Sequence, residues 1–354
     1  MKKVFALILA LTMCLSLAAC GGSEEAPAQT ETPAQTETPA QTETAGPEYD
    51  NITWKLSHHN AVDQPIHEAL TKWADMLNEK SGGAVTIEIH PAASLYNSAD
   101  AEDAVKMGTL DMCLGDASQL SNSMPAYALT ALPFLFDSYE TAEQIIFGEV
   151  GQTIDAAAAD ELGIVPLGWT WNGFRNMCTT KPIASVADCK NFKLRSPGSQ
   201  IYLDTFNTLG MSPTVVTWSE AYTAMQSGMV DGVESGLEAF YTQGFYTLGE
   251  NICLSRHMIS IIGPIVNVDR WNSLNADTQQ LMMETWAECQ AELNETVIGN
   301  EDGYQQKLAD EGCNITEFEN RQELIDLFTP YWTQSAEAGG YSDLLNSALE
   351  IING

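Results

Sequence analysis

Basic residues are scarce in this chain, whose 354 residues include 15 Lys and Arg against 48 Asp and Glu. The formal net charge at pH 7 is −33. Proteins that bind nucleic acid use Lys and Arg to displace phosphate counterions, and polybasic segments attract anionic lipid surfaces. The composition therefore argues against a nucleic-acid partner and against a basic membrane-binding patch. Apolar residues make up 44% of the chain, enough for a sizeable buried core.

Motifs that carry catalysis are also missing. The sequence has no Gly-x-Ser-x-Gly, no His-Glu-x-x-His, no phosphate loop and no glycine-rich dinucleotide fingerprint. His58 and His59 resemble a metal pair, but neighbouring strand residues point to opposite faces. We therefore predict no enzyme activity, no cofactor and no metal, and expect one of the two histidines to line a cleft.

No Cys-x-x-Cys pair occurs, which argues against a zinc or redox motif. Six cysteines remain after the N-terminal segment: Cys113, Cys178, Cys189, Cys253, Cys289 and Cys313. An exported protein could form disulfides, and Cys178 and Cys189 are the closest pair. Since Cys113 and Cys253 lie in apolar runs, we expect mostly free, buried thiols.

The N-terminal segment has the features of an export signal. Lys2 and Lys3 precede an uncharged apolar stretch, residues 4–19, that is short for a membrane span. The following Leu-Ala-Ala-Cys resembles a bacterial lipobox, which implies a signal peptide over residues 1–19 and a lipid on Cys20. The alternative is ordinary secretion with a chance cysteine.

A polar segment follows, in which Pro-Ala-Gln-Thr-Glu-Thr occurs three times, over residues 27–32, 33–38 and 39–44. Without apolar periodicity it cannot bury a core, so we predict a flexible tether over residues 20–48. A lipid, a tether and a folded domain together predict a protein held at the outer face of the cell membrane.

The remaining chain alternates strand and helix patterns. Apolar periodicity predicts strands at 52–56, 85–89, 110–114, 164–171, 191–195, 214–216, 230–234 and 314–318. It predicts helices at 66–80, 100–107, 139–147, 151–162 and 198–209, one from a capping box at Thr217 to Gly228, one at 275–308 and two at the end. The alternation predicts an α/β fold with mainly parallel sheets, and about 300 residues suggest two such units.

In open α/β sheets the binding site lies beyond the carboxyl ends of the strands. The residues at those ends are Ser57, His58, His59, Gly115, Asp116, Ala117, Ser118, Trp169, Trp171, Asn172, Arg195, Trp218, Glu234 and Ser235. Arg195 stands out because a helix begins just after it, so a guanidinium and free backbone N–H groups would both attract an anion. The alternative is a structural salt bridge.

Other candidates also have two interpretations. Trp169 and Trp171 alternate along one predicted strand, so they share a face that is either core or cleft. Asp116 and Glu234 are either ligands for a hydroxyl or amine group, or solvated carboxylates.

Several segments resemble the DctP family of solute-binding proteins of tripartite ATP-independent periplasmic (TRAP) transporters. They are Leu-Pro-Phe-Leu-Phe at 132–136, Gly-Phe-Arg-Asn at 173–176, Phe-Lys-Leu-Arg-Ser-Pro-Gly at 192–198 and Ser-Glu-Ala-Tyr-Thr-Ala-Met-Gln-Ser-Gly-Met-Val-Asp-Gly at 219–232. The helix ending near Gly108 matches as well. Their number, order and spacing make the resemblance specific.

The resemblance implies a two-lobed periplasmic-binding-protein-like fold with crossing hinge strands and one long helix that spans both lobes. It implies lobe I over residues 49–172 and 261–300, and lobe II over residues 173–260 and 301–354. It also implies capture of a small organic acid and its delivery to TRAP membrane subunits driven by an ion gradient. We expect a monomer.

The resemblance also assigns site residues. The ligand carboxylate would pair with Arg195, a second arginine would be Arg175, and an aromatic contact would be Trp218. A family asparagine falls on Ser235, where Val-Glu-Ser-Gly stands in place of the common Gln-Glu-Asn-Pro. The shorter hydroxyl reaches less far, which puts the usual dicarboxylate or sialic acid specificity in doubt.

Two other classes remain open at this point. One is a binding lipoprotein of an ATP-driven importer or a sensor kinase, which would share two lobes and an anchor. The other is a surface enzyme on a similar scaffold.

Overall fold

The computed structural model describes residues 46–354. The predicted signal peptide, Cys20 and nearly all of the predicted tether lie outside the described residues. Residues 47–354 form one compact unit, so the predicted bounds of the two lobes stay a prediction.

The described residues form ten strands: β1 (Ile52–Ser57), β2 (Val85–His90), β3 (Met112–Asp116), β4 (Ile164–Pro166), β5 (Thr170–Thr179), β6 (Lys193–Ser196), β7 (Ser212–Val215), β8 (Gly232–Ser235), β9 (Asn251–Asn267) and β10 (Asn314–Glu317). The helices are α1 (Pro65–Lys80), α2 (Ser98–Lys106), α3 (Ala117–Leu120), α4 (Tyr139–Ile146), α5 (Glu149–Leu162), α6 (Val186–Cys189), α7 (Gln200–Thr208), α8 (Trp218–Gln226), α9 (Leu237–Thr242), α10 (Val268–Asn272), α11 (Ala276–Asp310), α12 (Arg321–Gly339) and α13 (Ser342–Asn353).

All ten strands belong to one sheet in the order β2-β1-β3-β9-β5-β8-β6-β7, with β4 and β10 also paired to β9. Five strand pairings are parallel and four are antiparallel. The α/β class and the predominance of parallel pairing are confirmed. The long antiparallel strands β5 and β9 lie in the middle and join a parallel group at each end, which gives the two-lobed architecture.

The prediction of one strand over 164–171 is wrong, because the chain breaks between β4 and β5. Gly168 has a φ angle of 126°, a backbone conformation that would be strained in a residue with a side chain. Its carbonyl oxygen lies 2.3 Å from where a Cβ on Gly263 would stand. The two glycines thus let the chain before β5 pass directly over β9.

Between β5 and β9 the pairing is interrupted by a bulge. Arg175 is paired with Met258 and Met177 with Cys253, so four residues of β9 stand outside the ladder. The side chain of Asn176 fills the gap, since its Oδ1 accepts a hydrogen bond from the Arg256 backbone N–H at 3.1 Å. Such bulges re-aim neighbouring side chains, and this one adjoins Arg175.

The long helix predicted over 275–308 is confirmed as α11, whose 35 residues extend about 52 Å at the usual rise. It packs against α1, β5 and α9, so it contacts the central strand β5 and the helices that follow β1 and β8, on either side of the central strands. Trp73 of α1 fixes one contact, since its Nε1 donates to Thr285 Oγ1 at 3.0 Å.

The six cysteines of the described residues are free, and five are buried while Cys313 is half-buried. The expectation of free thiols is confirmed. Of the helices in residues 46–354, none is both long and apolar enough to cross a membrane.

Candidate functional site

A cavity of about 250 Å3 opens between the two parallel groups of strands. One wall, the N-terminal wall, comes from the segments that follow β1, β2 and β3: His59, Asn60, Gln64, Ala93, Asn97, Ser98, Ala99, Asp100, Asp116 and Gln119. The other residues come from β5 and the segments around β6, β7 and β8: Asn172, Arg175, Arg195, Pro197, Gly198, Tyr202, Val215, Val216, Thr217, Trp218, Ser219, Ser235 and Ala239. The cavity therefore lies at the strand ends where the sequence predicted a site.

Arg195 lies near the end of β6, next to Thr214 of β7. Its side chain is 5% exposed. Its Nε donates to the Val216 carbonyl at 2.9 Å, and its guanidinium carbon stands 5.3 Å from the centre of the Trp218 ring. These contacts fix the plane of the guanidinium while part of it still faces the cavity.

Arg175 is bound more tightly. Its Nε and Nη2 both donate to the Glu234 carboxylate, the latter at 2.8 Å, and Nη2 also reaches the Glu234 carbonyl at 3.2 Å. Its guanidinium carbon stands 5.2 Å from the centre of the Tyr202 ring. Arg195 reaches the same carboxylate only through Nη1, at 3.4 Å. Glu234 therefore neutralises Arg175 first and Arg195 only weakly.

The electrostatics follow from this unequal sharing. Burial opposes the charge on Glu234, but Arg175, the His257 imidazole 3.7 Å away and Arg195 together lower the pKa of this carboxyl to about 2. Burial also opposes the charge on Arg175, yet Glu234 raises its pKa above the usual value. Burial and the nearby charge of Arg175 lower the pKa of Arg195 to about 10, although Glu234 opposes this shift. Arg195 is therefore protonated at neutral pH.

On the N-terminal wall, Asp116 ends β3 and caps α3. Its Oδ1 accepts hydrogen bonds from the Ser118 backbone N–H at 2.9 Å and from the Ser118 hydroxyl at 2.6 Å. Its backbone N–H donates to the buried Glu102 carboxyl at 2.9 Å. Burial raises the pKa of Asp116, while Ser118 and the charge of Arg175 oppose that shift.

Three predicted site residues do not line the cavity. His58 is buried and its Nε2 contacts His67 Nδ1 at 3.0 Å, whereas His59 lines the cavity in its place. Trp169 lies in the core, where its Nε1 donates to Asp155 at 2.9 Å, so the structure favours the core over the cleft for this residue. Glu234 lies behind the two arginines and is 0% exposed, so its carboxylate is an ion-pair partner rather than a cavity wall.

The N-terminus of α7, the helix after Arg195, does not present the free backbone N–H groups that the sequence predicted for an anion. The first N–H of α7, on Gln200, donates to Asn122 Oδ1 at 2.9 Å, so it is not free for an anion. Thr217 precedes α8 as predicted, but its side chain makes no capping bond to the helix backbone. Its hydroxyl donates instead to the Glu220 carboxylate at 2.6 Å.

Four hydrogen bonds link the two sides of the cavity. Gln64 Nε2 donates to Glu238 Oε2 at 3.2 Å, and the Ser199 hydroxyl donates to the Ser118 carbonyl at 2.5 Å. Asn122 makes the other two: its Oδ1 accepts from the Gln200 backbone N–H, and its Nδ2 donates to the Gly198 carbonyl at 3.2 Å. The described conformation is therefore one in which the two sides are in contact.

Asn60, Gln64 and Tyr202 also line the cavity and were not predicted from the sequence. Asn60 and Gln64 lie in the polar loop between β1 and α1, directly after a strand end, so their position could have indicated them. Tyr202 had no such signal, because it follows the apolar pattern of α7. Among the described residues, no three His, Cys, Asp or Glu side chains are grouped closely enough to hold a metal ion.

Comparison with known proteins gives consistent matches. The family model described as bacterial extracellular solute-binding protein, family 7 (DctP), matches residues 56–338. The C4-dicarboxylate-binding protein DctB of Bacillus subtilis is 27% identical over 310 residues, covering 85% of this chain and 87% of that protein. A solute-binding protein of Roseobacter denitrificans is 29% identical over 239 residues, covering 68% of this chain and 73% of that protein.

A crystal structure of a TRAP periplasmic solute-binding protein from Sulfitobacter, with bound α-D-taluronate, matches with a TM-score of 0.79 at 25% identity. The match covers 84% of this chain and 97% of that chain.

Proposed function

Because the chain belongs to family 7 of the bacterial extracellular solute-binding proteins (DctP), the solute-binding subunits of TRAP transporters, we propose that it captures a small organic acid in the described cavity and delivers it to TRAP membrane subunits. Its relatives are binding proteins rather than enzymes.

The observation that carries the proposal is the incomplete neutralisation of Arg195. Glu234 carries one negative charge and lies against two guanidinium groups, so one positive charge remains at the cavity. That charge is on a planar side chain whose orientation is fixed by Val216 and Trp218. A carboxylate fits such a fork with two parallel hydrogen bonds, which an ammonium could not provide.

The other cavity residues have supporting roles in the proposal. Arg175 lines the cavity as the second arginine, although Glu234 offsets its charge, and Trp218 offers an aromatic face for the body of the ligand. Ser235 and Asp116 offer polar groups for its second end. The relatives' printed ligands, a C4-dicarboxylate and α-D-taluronate, are carboxylates, which supports the same class for this chain.

In the proposed cycle the ligand first meets Arg195 on lobe II. Lobe I, residues 49–172 and 261–300, then closes against lobe II, residues 173–260 and 301–354, through the Gln64, Ser118 and Asn122 hydrogen bonds. Closure excludes water and strengthens the charge interaction, because the local dielectric falls. The protein would act as a monomer.

The export segment completes the proposal. A lipid on Cys20 and a tether to residue 48 would hold the domain at the outer face of the cell membrane. The test is fractionation of cells that express the full chain. Cys20→Ser should move the protein from the membrane to the soluble extracytoplasmic fraction. An unchanged distribution would contradict the lipid anchor without affecting the binding function.

The binding function is tested with a thermal-shift screen of organic acids and matched neutral amides. A ligand at about 100 times its dissociation constant stabilises a protein by about 2.7 kcal/mol. We expect acids to raise the melting temperature and their amides not to. If the amides stabilise the protein as well as the acids do, the proposed role of Arg195 is wrong.

A further inference from the structure

Four charged side chains line the cavity: Arg175, Arg195, Asp100 and Asp116. The charge of Arg175 is cancelled by Glu234, which lies directly behind it. Asp100 is exposed, and its carboxylate accepts from Asn97 Nδ2 at 2.7 Å. This leaves one uncancelled positive group, Arg195, on one wall and one half-buried negative group, Asp116, on the other.

The two groups lie on different parts of the sheet. Arg195 belongs to β6, in the group β8-β6-β7, and Asp116 ends β3, in the group β2-β1-β3. Among the described residues, Arg195 bonds to Val216 and Glu234, whereas Asp116 bonds to Ser118. The two groups therefore make no ion pair with each other within residues 46–354. A ligand between the walls meets opposite charges at its two ends.

Asn60 supplies an independent observation on the same wall as Asp116. It is 4% exposed and lines the cavity. Its side-chain Oδ1 is buried and accepts no hydrogen bond from any described residue. A buried acceptor without a donor costs free energy, so a ligand group that carries N–H or O–H would be stabilised at this wall.

We propose, building on the function proposed above, that the ligand is a zwitterion, with a carboxylate held by Arg195 and an ammonium group held by Asp116 and Asn60 on the opposite wall. A second carboxylate in the same place would face Asp116, and like charges in a closed site are strongly unfavourable. A hydroxyl could bond to Asn60 but would leave the charge of Asp116 without a counterion.

Besides Asp116 and the exposed Asp100, His59 is a titratable group on this wall, and it does not supply a compensating positive charge. Burial and the nearby charges of Arg195 and Arg175 lower the pKa of His59 to about 4, so it is neutral at pH 7. Glu102, behind Asp116, is driven towards its neutral form, because burial raises its pKa well above the usual value. Burial raises the pKa of Asp116 too, but its hydrogen bonds from Ser118 and the charge of Arg175 oppose that shift, so Asp116 is the half-buried negative group of this wall and Asp100 is the exposed one.

The test is calorimetry at pH 7 with matched series of acids that differ only in the second group. The series are β-alanine, β-hydroxypropionate and succinate; γ-aminobutyrate, γ-hydroxybutyrate and glutarate; and L-alanine, L-lactate and methylmalonate. In at least one series we expect the amino acid to bind about tenfold or more tightly than the other two members, a difference that corresponds to a single satisfied charge.

Asp116→Asn should abolish that preference, and the hydroxy acid should then bind as well as the amino acid. Asn keeps the oxygen that accepts from Ser118, so the cap of α3 survives. Asp103→Asn, on the exposed face of the adjacent α2 and paired with Lys106, is the control and should keep the preference. The wild-type series tests the proposal even if Asp116→Asn fails to fold.

The two proposals can fail separately. If dicarboxylates or hydroxy acids bind most tightly and Arg195→Ala weakens them, the zwitterion inference is overturned and the carboxylate-binding function stands. The same holds if the amino acid is preferred equally in Asp116→Asn. If Arg195→Ala leaves the binding of every acid unchanged, the proposed function itself is overturned.

Discussion

Arg175 holds Glu234 through two side-chain nitrogens, Nε and Nη2, in a pair that is almost fully buried. Arg195 lies beside the same carboxylate but reaches it with one nitrogen at 3.4 Å. Two guanidinium groups in contact would repel each other, so a shared carboxylate makes their proximity possible. Arg175 thus has a mainly structural role, and Arg195 keeps the charge that a ligand can use.

Arg195→Ala should weaken acid binding by about thirtyfold or more, since breaking a buried charge pair costs roughly 2–5 kcal/mol. Arg195→Lys should also bind poorly, because an ammonium lacks the planar fork. Isothermal titration calorimetry checks both. Arg270→Ala is the control, since Arg270 is exposed, pairs with Asp111 outside the cavity and should leave affinity unchanged. Near-normal affinity in Arg195→Ala would refute the assignment.

Glu234→Gln should destabilise the fold by about 3–5 kcal/mol, because it leaves Arg175 buried without its counterion. Denaturant unfolding at pH 7 measures the loss, with the exposed Glu317→Gln on β10 as a control. A loss below about 1 kcal/mol in Glu234→Gln would mean that the ion pair is not structural.

The stabilisation by Glu234 should also depend on pH. Its folded-state pKa is about 2, below the usual value of 4.5, so the unfolded state binds the proton more strongly. This contribution to the free energy of unfolding is present above about pH 4.5 and is lost as the pH falls towards 2. As the pH falls through that range, the free energies of unfolding of the wild type and Glu234→Gln should converge. A constant difference between the two free energies would contradict the assignment.

His59 should affect stability in a higher pH range. Burial and the two arginines lower its pKa from 6.5 to about 4. Since the unfolded state is protonated first, stability should decrease as the pH falls from about 6.5 to 4, by up to about 1.4 kcal/mol per pH unit. His59→Gln should reduce the slope of the free energy of unfolding in this range, to which the buried His58, with a pKa lowered to about 3, also contributes. If the variant keeps the wild-type slope, His59 is not the buried neutral group described here.

The sequence predicted most of this fold because its signals are local. Pro65, the glycines that end helices and the period of α1 and α11 are independent of distant contacts. The strand break at Gly168 was not predictable, because it arises from the close approach to Gly263, almost a hundred residues away. β9 was not among the predicted strands, because Ser255, Arg256 and His257 interrupt its apolar pattern with residues that lie in the bulge beside Arg175.

The site was partly predictable for the same reason. Arg195 and Asp116 follow strands, and position alone identifies them. The burial of Glu234 was not visible, since a glutamate at a strand end has the same sequence pattern whether it faces solvent or two arginines. His58 and His59 could not be distinguished because the face of a strand end depends on local twist.

Asn122 offers a test of closure that does not touch the cavity. It is exposed, and it bonds to Gly198 and Gln200 across the interface between the two sides. Asn122→Ala should speed ligand release severalfold with little effect on the free energy of unfolding, because two contacts specific to the closed state are lost. Stopped-flow release measures this, and Asn207→Ala on the exposed face of α7 is the control. Equal release rates would show that these bonds do not hold the closed state.

Gly263 and Gly299 should respond in opposite directions to the same substitution. A Cβ on Gly263 would lie 2.3 Å from the Gly168 carbonyl oxygen, so Gly263→Ala must displace backbone at the crossing of β9 and should cost about 1–3 kcal/mol. Gly299 is exposed within α11, and a Cβ there would meet nothing within 4 Å. Gly299→Ala should therefore stabilise the protein by about 0.5–1 kcal/mol. Denaturant unfolding measures the free energy of unfolding of both variants. If Gly263→Ala leaves it unchanged, the chain at Gly168 does not pass this close to Gly263, and the strand break needs another cause.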